Sequence, residues 1–226
     1  MQSDPATRNR RLKKRWVVVA IVLLVVSWVG YDLYGPRSTD IRSFDPDEVA
    51  RLETAMWRSY YAKERVSLFN KLSETLRIQY RLPLVRSNTV AYQAAKAAFV
   101  FKEGHNRADY EKALPYLINF YTEINKVSQT KFDVDKVARL EVEWWIIHRE
   151  RAKHAPGDLD LALAELPAEI YHVPVQNLME HAHLRAVAMT IRDDKADAGG
   201  VTEDDWRHIE ELLHQSYKSL FKAINN

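Results

Sequence analysis

Six side chains in this sequence have the chemistry and the spacing to act together: Glu53, Glu64, Glu141, His148, Glu180 and His183. A carboxylate and an imidazole three residues apart, as in Glu180-x-x-His183, leave one helix face and can offer an oxygen and a nitrogen to one metal ion. Glu141 and His148 lie seven residues apart, close to two helical turns, so they share a direction too. Ligands of this kind suit iron or manganese, and a metal-dependent oxidase or hydrolase is one expectation. Acid–base catalysis without metal is another, because Glu and His in an apolar pocket acquire shifted pKa values. The third reading is structural: buried carboxylates and imidazoles satisfy Tyr, Trp and Arg partners and fix how helices pack. With 11 Tyr, 6 Trp and many Arg to pair with, the sequence favours this last reading, with no cofactor.

Advancing by about 100° per residue separates inward from outward side chains. In LEVEWWIIHRE, the face marked by Val134, Val137, Trp144 and Trp145 includes Glu141 and His148, while Arg139, Glu143 and Glu150 lie opposite. In QNLMEHAHLRAVAMTIRDD, the expected wet strip is His181, Arg185 and Arg192, leaving Glu180 and His183 beside Leu184, Val187 and Ile191. Glu53 and Glu64 fall near Met56, Trp57 and Tyr60. In its inward Glu-x-x-His the pattern resembles ferritin-like and haem-oxygenase-like di-metal oxidases. Ferritin-like enzymes carry two such motifs. The second copy here, Glu211-x-x-His214, sits off the Trp206, Ile209, Leu213, Tyr217 and Leu220 stripe, which removes half of that ligand set.

The elements that must position these residues are helical. Glycine is scarce, alternating apolar and polar runs are missing, and 3.6-period segments are long, which predicts an all-α protein. Asp45 caps a helix with Pro46 at its first position; it is expected to run to about Tyr80, its buried side changing on the way. After a break at Pro83, TVAYQAAKAAFVFKE and RADYEKALPYLINFYTEINKV form two helices separated at Gly104. Ala94, Ala95, Ala98, Phe101, Gly104 and Ala113 make this pair similar to one tetratricopeptide unit, with no second copy at a period near 34. A helix capped by Asp133 runs to about Ala152, LDLALAELPAEIY is bent or ended by Pro167, and another helix spans Val175 to Arg192. DDKADAGG is read as a loop, and a last helix opens with a capping box at Thr202 and Asp205. The expectation is a bundle-like domain of six or seven helices over residues 45–226.

Ahead of it, residues 16–34 read as a transmembrane helix. From Trp16 to Tyr31 there is no charge, and Trp16, Trp28, Tyr31 and Tyr34 suit the two bilayer interfaces. A cleaved signal peptide needs small residues before its cut, whereas the exit here reads VSWVGYDLYGP. Residues 1–15 hold six Lys or Arg against Asp4, a basic tail that the positive-inside rule keeps cytoplasmic, with the helical domain across the membrane and residues 35–44 as a polar linker. The overall charge of +2 therefore hides an acidic body, which excludes a nucleic-acid-binding face. The chain has no Cys, and it carries no phosphate-cradling loop, G-x-S-x-G, H-E-x-x-H or EF-hand pattern. The partners expected are the lipid bilayer and a protein in or near it. The function expected is interaction or assembly by a single-pass anchored helical module, as scaffold or accessory subunit.

Overall fold

A computed structural model describes residues 5–226, with side-chain environments from residue 13 onward. The first four residues of the basic tail, and the side chains of Arg8, Arg10 and Arg11, lie outside the described residues. The protein is all-helical, with no strand among the described residues; one isolated bridge joins Thr39 and Ser128. Helix α1 (Pro5–Tyr34) contains one segment, Lys13–Tyr34, long and apolar enough to cross a membrane, and that segment is almost wholly exposed.

The body follows as α2 (Pro46–Tyr61), α3 (Arg65–Gln79), α4 (Leu84–Lys102), the single turn α5 (Arg107–Tyr110), α6 (Leu114–Val127), α7 (Val134–Arg149), α8 (Asp158–Tyr171), α9 (Met179–Asp197) and α10 (Glu203–Asn225). The longer helices pack in sequence, each on the next, and α10 returns to α2, so they close a ring. The main core lies inside it and includes Val49, Leu76, Val90, Leu117, Val137, Leu163, Leu178 and Ile224, all nearly inaccessible. A smaller cluster of Ala50, Ala188, Trp206, Ile209 and Leu213 seals α2 against α9 and α10.

The single helix expected over 46–80 is two. Ala62 ends α2, Lys63 takes φ 61°, its N–H bonds Tyr60 O at 3.2 Å, and Glu64 N–H bonds Ser59 O at 2.9 Å. These two bonds make a Schellman stop, in which lysine holds the left-handed position that glycine usually fills. The break explains the change of buried side: two helices face two neighbours. Conversely α9 runs on to Asp197, through the expected loop, and stops where Gly199 (φ 116°) and Gly200 bond Ala196 O and Lys195 O. The Asp45 cap, the Asp133 cap and the Thr202–Asp205 capping box form as the sequence predicts.

Helix α4 takes both of its caps from elsewhere in the chain. Pro83 at its start offers no side-chain acceptor. Asp32, in the last turn of α1, accepts from Val85 N–H at 3.0 Å and Arg86 N–H at 2.9 Å. At the other end, Arg149 of α7 donates to Phe101 O at 2.8 Å, Gly104 O at 3.2 Å and Lys102 O at 3.2 Å, while its guanidinium lies 4.5 Å from the Phe101 ring centroid. A cation at a helix C-terminus is stabilised by the helix dipole and by carbonyls that lack partners within the helix. Arg149→Ala is expected to destabilise the fold by about 2 kcal/mol. Hydrogen exchange checks the location: the last turn of α4 should lose protection before α3 does.

The linker is not a loose tether. Ile41 and Phe44 are buried, Thr39 N–H bonds Val127 O at 2.7 Å, and Gln129 N–H bonds Thr39 O at 2.9 Å. Arg42 donates to Tyr171 O at 2.5 Å and Ile224 O at 2.9 Å, tying the segment to the ends of α8 and α10. Helix α1 thus enters the body through a packed joint.

Candidate functional site

The ring encloses a polar centre built from five helices. Glu53 of α2 is 3% exposed and receives Arg185 of α9 twice, through Nη2 at 2.6 Å and Nε at 3.1 Å. Its other oxygen accepts from the Tyr217 hydroxyl of α10 at 2.5 Å. The Arg185 guanidinium also covers the Trp144 ring of α7, 5.0 Å from its centroid. One turn before Trp144, Glu141 accepts from the Tyr121 hydroxyl of α6 at 2.7 Å and from Trp145 Nε1 at 3.0 Å.

Burial and charge set the protonation of these groups. Burial opposes the charge on Arg185, but the Glu53 carboxylate outweighs it and the guanidinium is held above its ordinary value. Glu141 is pushed up, chiefly by burial; the hydrogen bond from Tyr121 and the charge of Arg185 act against that shift. Tyr217 and Tyr121 are raised well above the usual phenol value by burial, next to Glu53 and Glu141 respectively. The phenols therefore remain hydrogen-bond donors, and Arg185 remains a cation.

Beside this centre, His181 of α9 is buried, with Nδ1 2.7 Å from the Ser216 hydroxyl and 3.1 Å from Ser216 O on α10. Burial first, then the charge of Arg185, brings its pKa down to about 4. A neutral imidazole is the form that fits here.

The six residues singled out by spacing do not converge. Glu53 and Glu141 lie within the ring, each committed to its own donors. Glu180 is exposed and accepts from Ser219 at 2.7 Å, and Glu64 is exposed between α2 and α3. His183 is exposed, with Nδ1 2.8 Å from Asp160. His148 turns towards α9, its Nε2 3.2 Å from Asp193. Among the described residues no three His, Asp or Glu side chains gather as a metal would require. Helix α9 is turned opposite to the expectation from its periodicity: His181 and Arg185 face in, Glu180 and His183 face out. The cause is that α9 is apolar around most of its circumference, so periodicity alone did not fix its rotation, and Glu53 drew the arginine inward.

Asp193, placed by the extension of α9, joins the far ends of α7 and α9. It pairs with Arg151 at 2.8 Å, Arg192 at 2.8 Å and His148. Burial acts to raise its carboxyl, but the contacts from His148 and Arg192 and the charge of Arg151 hold it at about 2. Next to it a cleft of about 580 Å³ opens between the α7–α8 turn and α9, floored by Ile147, Leu159 and Val187, with His183 and Asp160 on its rim. The aspartate orients that imidazole as in an acid–base relay. A nucleophile is not aligned with it: the one hydroxyl lining the cleft, Thr190, donates to Ala186 O at 2.9 Å.

Sequence reasoning missed Arg185, Tyr217, Asp160, Asp193 and Asp32. The available signal was chemical rather than periodic, since an inward Glu53 requires a cation or a proton. No protein-family model matches the chain, and neither curated proteins nor solved structures give a match.

Proposed function

We propose that this chain is a single-pass membrane-anchored helical module that acts in interaction or assembly. It would hold a stiff ring of helices at a fixed attitude to the bilayer for a protein partner in or beside the membrane. The observation that carries the reading is the joint at Asp32: the last turn of the candidate membrane helix caps α4. A flexible tether would suffice for a diffusing enzyme domain, whereas a rigid joint transmits orientation. The polar centre supports the same reading, because Glu53 and Glu141 are each committed to donors within the ring instead of opening onto a substrate cavity. In this scheme residues 1–15 remain cytoplasmic and the body lies across the membrane.

Two measurements test it. Alkaline extraction of membranes should leave the intact chain in the pellet, and protease added outside sealed vesicles of one orientation should cut only one of the two, the body or the N-terminal tail, and spare the other. Release into the supernatant, or cleavage of both from one side, removes the anchored reading. Asp32→Ala should loosen the start of α4 by about 1–2 kcal/mol, the loss typical of a helix cap. If orientation matters, the same substitution should lower the yield of a cross-linked complex isolated from native membranes in mild detergent, while leaving membrane insertion unchanged. An unchanged yield would remove the role assigned to the joint.

A further inference from the structure

Apart from α1, the large apolar side chains that the body exposes are concentrated on one hairpin. Val66 is 76% exposed, Leu84 52% and Tyr92 55%; Ile78 and Phe99 are exposed as well, and all five belong to α3 or α4. The remaining one, Leu161, is on α8. On α4, Leu84, Asn88, Tyr92, Ala95, Phe99 and Lys102 fall within about 80° of one another around the helix, forming a stripe along its whole length. Arg65 sits 5.7 Å from the Phe99 ring centroid, which brings the start of α3 to the same stripe.

Charge is as uneven as hydrophobicity. Residues 63–102 hold eight Lys or Arg and two Glu, and α4 itself contains no acidic residue. Residues 16–62 and 103–226 together hold nineteen basic and twenty-eight acidic residues. Within the hairpin, Lys71 pairs with Glu74 and Arg86 with Glu123. Among the described residues Lys63, Arg65, Arg77, Arg81, Lys96 and Lys102 form no ion pair. An acidic body therefore carries one basic hairpin with exposed aromatic and aliphatic side chains, and the first turn of its α4 is capped by the end of α1.

We infer that the α3–α4 hairpin is a membrane-surface contact, which lays Leu84, Tyr92 and Phe99 among the headgroups of an anionic leaflet while its unpaired cations face lipid phosphates. The inference rests on α1 spanning the bilayer, which brings that leaflet within reach of Leu84. Basic charge with interfacial aromatic and aliphatic residues is the combination that binds such surfaces. Each cation near an anionic membrane strengthens the contact about fivefold. The acidic remainder of the body is repelled by the same surface, which orients the ring with α3 and α4 downward.

The chain has no native cysteine, so Ala95→Cys supplies a single labelling site on the stripe and Glu211→Cys, exposed on α10, a matched control. Full-length protein carrying a fluorophore at either site is reconstituted into nanodiscs of phosphatidylcholine alone or mixed with phosphatidylglycerol. Quenching by nitroxide-labelled headgroups is then read. The expected result is strong quenching at position 95 in the anionic discs, weak quenching at 211, and relief at 95 by salt. Lys96→Glu combined with Lys102→Glu should weaken the contact about twenty-five-fold or more, by about a factor of five for each cation lost and further by the charge reversal. These cations hold no ion pair, and an unchanged thermal unfolding curve verifies the fold of the variant. Equal quenching at both sites in every lipid, with the protein recovered in the discs, overturns the inference and leaves the stripe to a protein partner. Protein recovered outside the discs overturns the anchor reading itself, and the inference falls with it.

Discussion

Glu53→Ala is expected to destabilise the body by about 3–5 kcal/mol, the largest loss from any single substitution considered for this chain. Removing the carboxylate leaves Arg185 charged, mostly buried and facing an empty site, and it takes the acceptor away from the Tyr217 hydroxyl at the same time. That energy is mostly the desolvation of an orphaned cation rather than the net strength of the pair. The discriminating variant is therefore the double one. Glu53→Leu with Arg185→Met replaces the pair by apolar groups of similar size and should recover most of the loss. For a domain of this size the single substitution lowers Tm by about 10 °C, measured by circular dichroism on the full chain in detergent. A drop of only a degree or two would mean that water reaches the ring centre and that the pair does not lock α2 to α9.

Acid should unfold the protein in a window set by His181. Its pKa is about 4 in the folded chain against an ordinary 6.5, so the unfolded chain takes up the proton first. Stability is then full above 6.5 and is lost as pH falls from 6.5 to about 4. The total is about 3–4 kcal/mol, at about 1.4 kcal/mol for each unit of pKa difference. Asp193, lowered from 3.8 to about 2, adds a further loss as pH falls between those values. Glu141 works in the opposite direction: its raised pKa means that the fold prefers it protonated, so acid relieves rather than adds cost there. His181→Gln keeps a polar partner for Ser216 without a titrating ring. Denaturant titrations across the window should show a stability that falls in the parent chain and stays nearly level in the variant. A parallel fall in both would transfer the acid sensitivity to other groups.

Much of the architecture was legible in the sequence because it is written in local chemistry. Asp45 with Pro46, Asp133, and Thr202 with Asp205 mark helix starts by satisfying backbone N–H groups within three residues, and all three form. The apolar run before Tyr31 identifies a helix able to span a membrane by length and composition alone. The stop of α2 was not legible, since Lys63 occupies a left-handed position with no glycine to signal it. The end of α9 was marked by Gly199, but the acidic DDKAD run before it reads as a loop until Asp193 and Lys195 find Arg151 and Asp205 across the fold.

The site divides along the same line. Sequence alone determined that Glu53 and Glu141 face the core, because amphipathic helices state their own inward side. The rotation of α9 came from packing, because a helix apolar around most of its surface has no preferred face until a neighbour supplies one. Buried Glu53 supplied it by demanding a cation within hydrogen-bond reach, and Arg185 turned inward, leaving Glu180 and His183 to solvent. Periodicity is a property of one helix. Charge compensation is a property of two, and it becomes visible when both are in place.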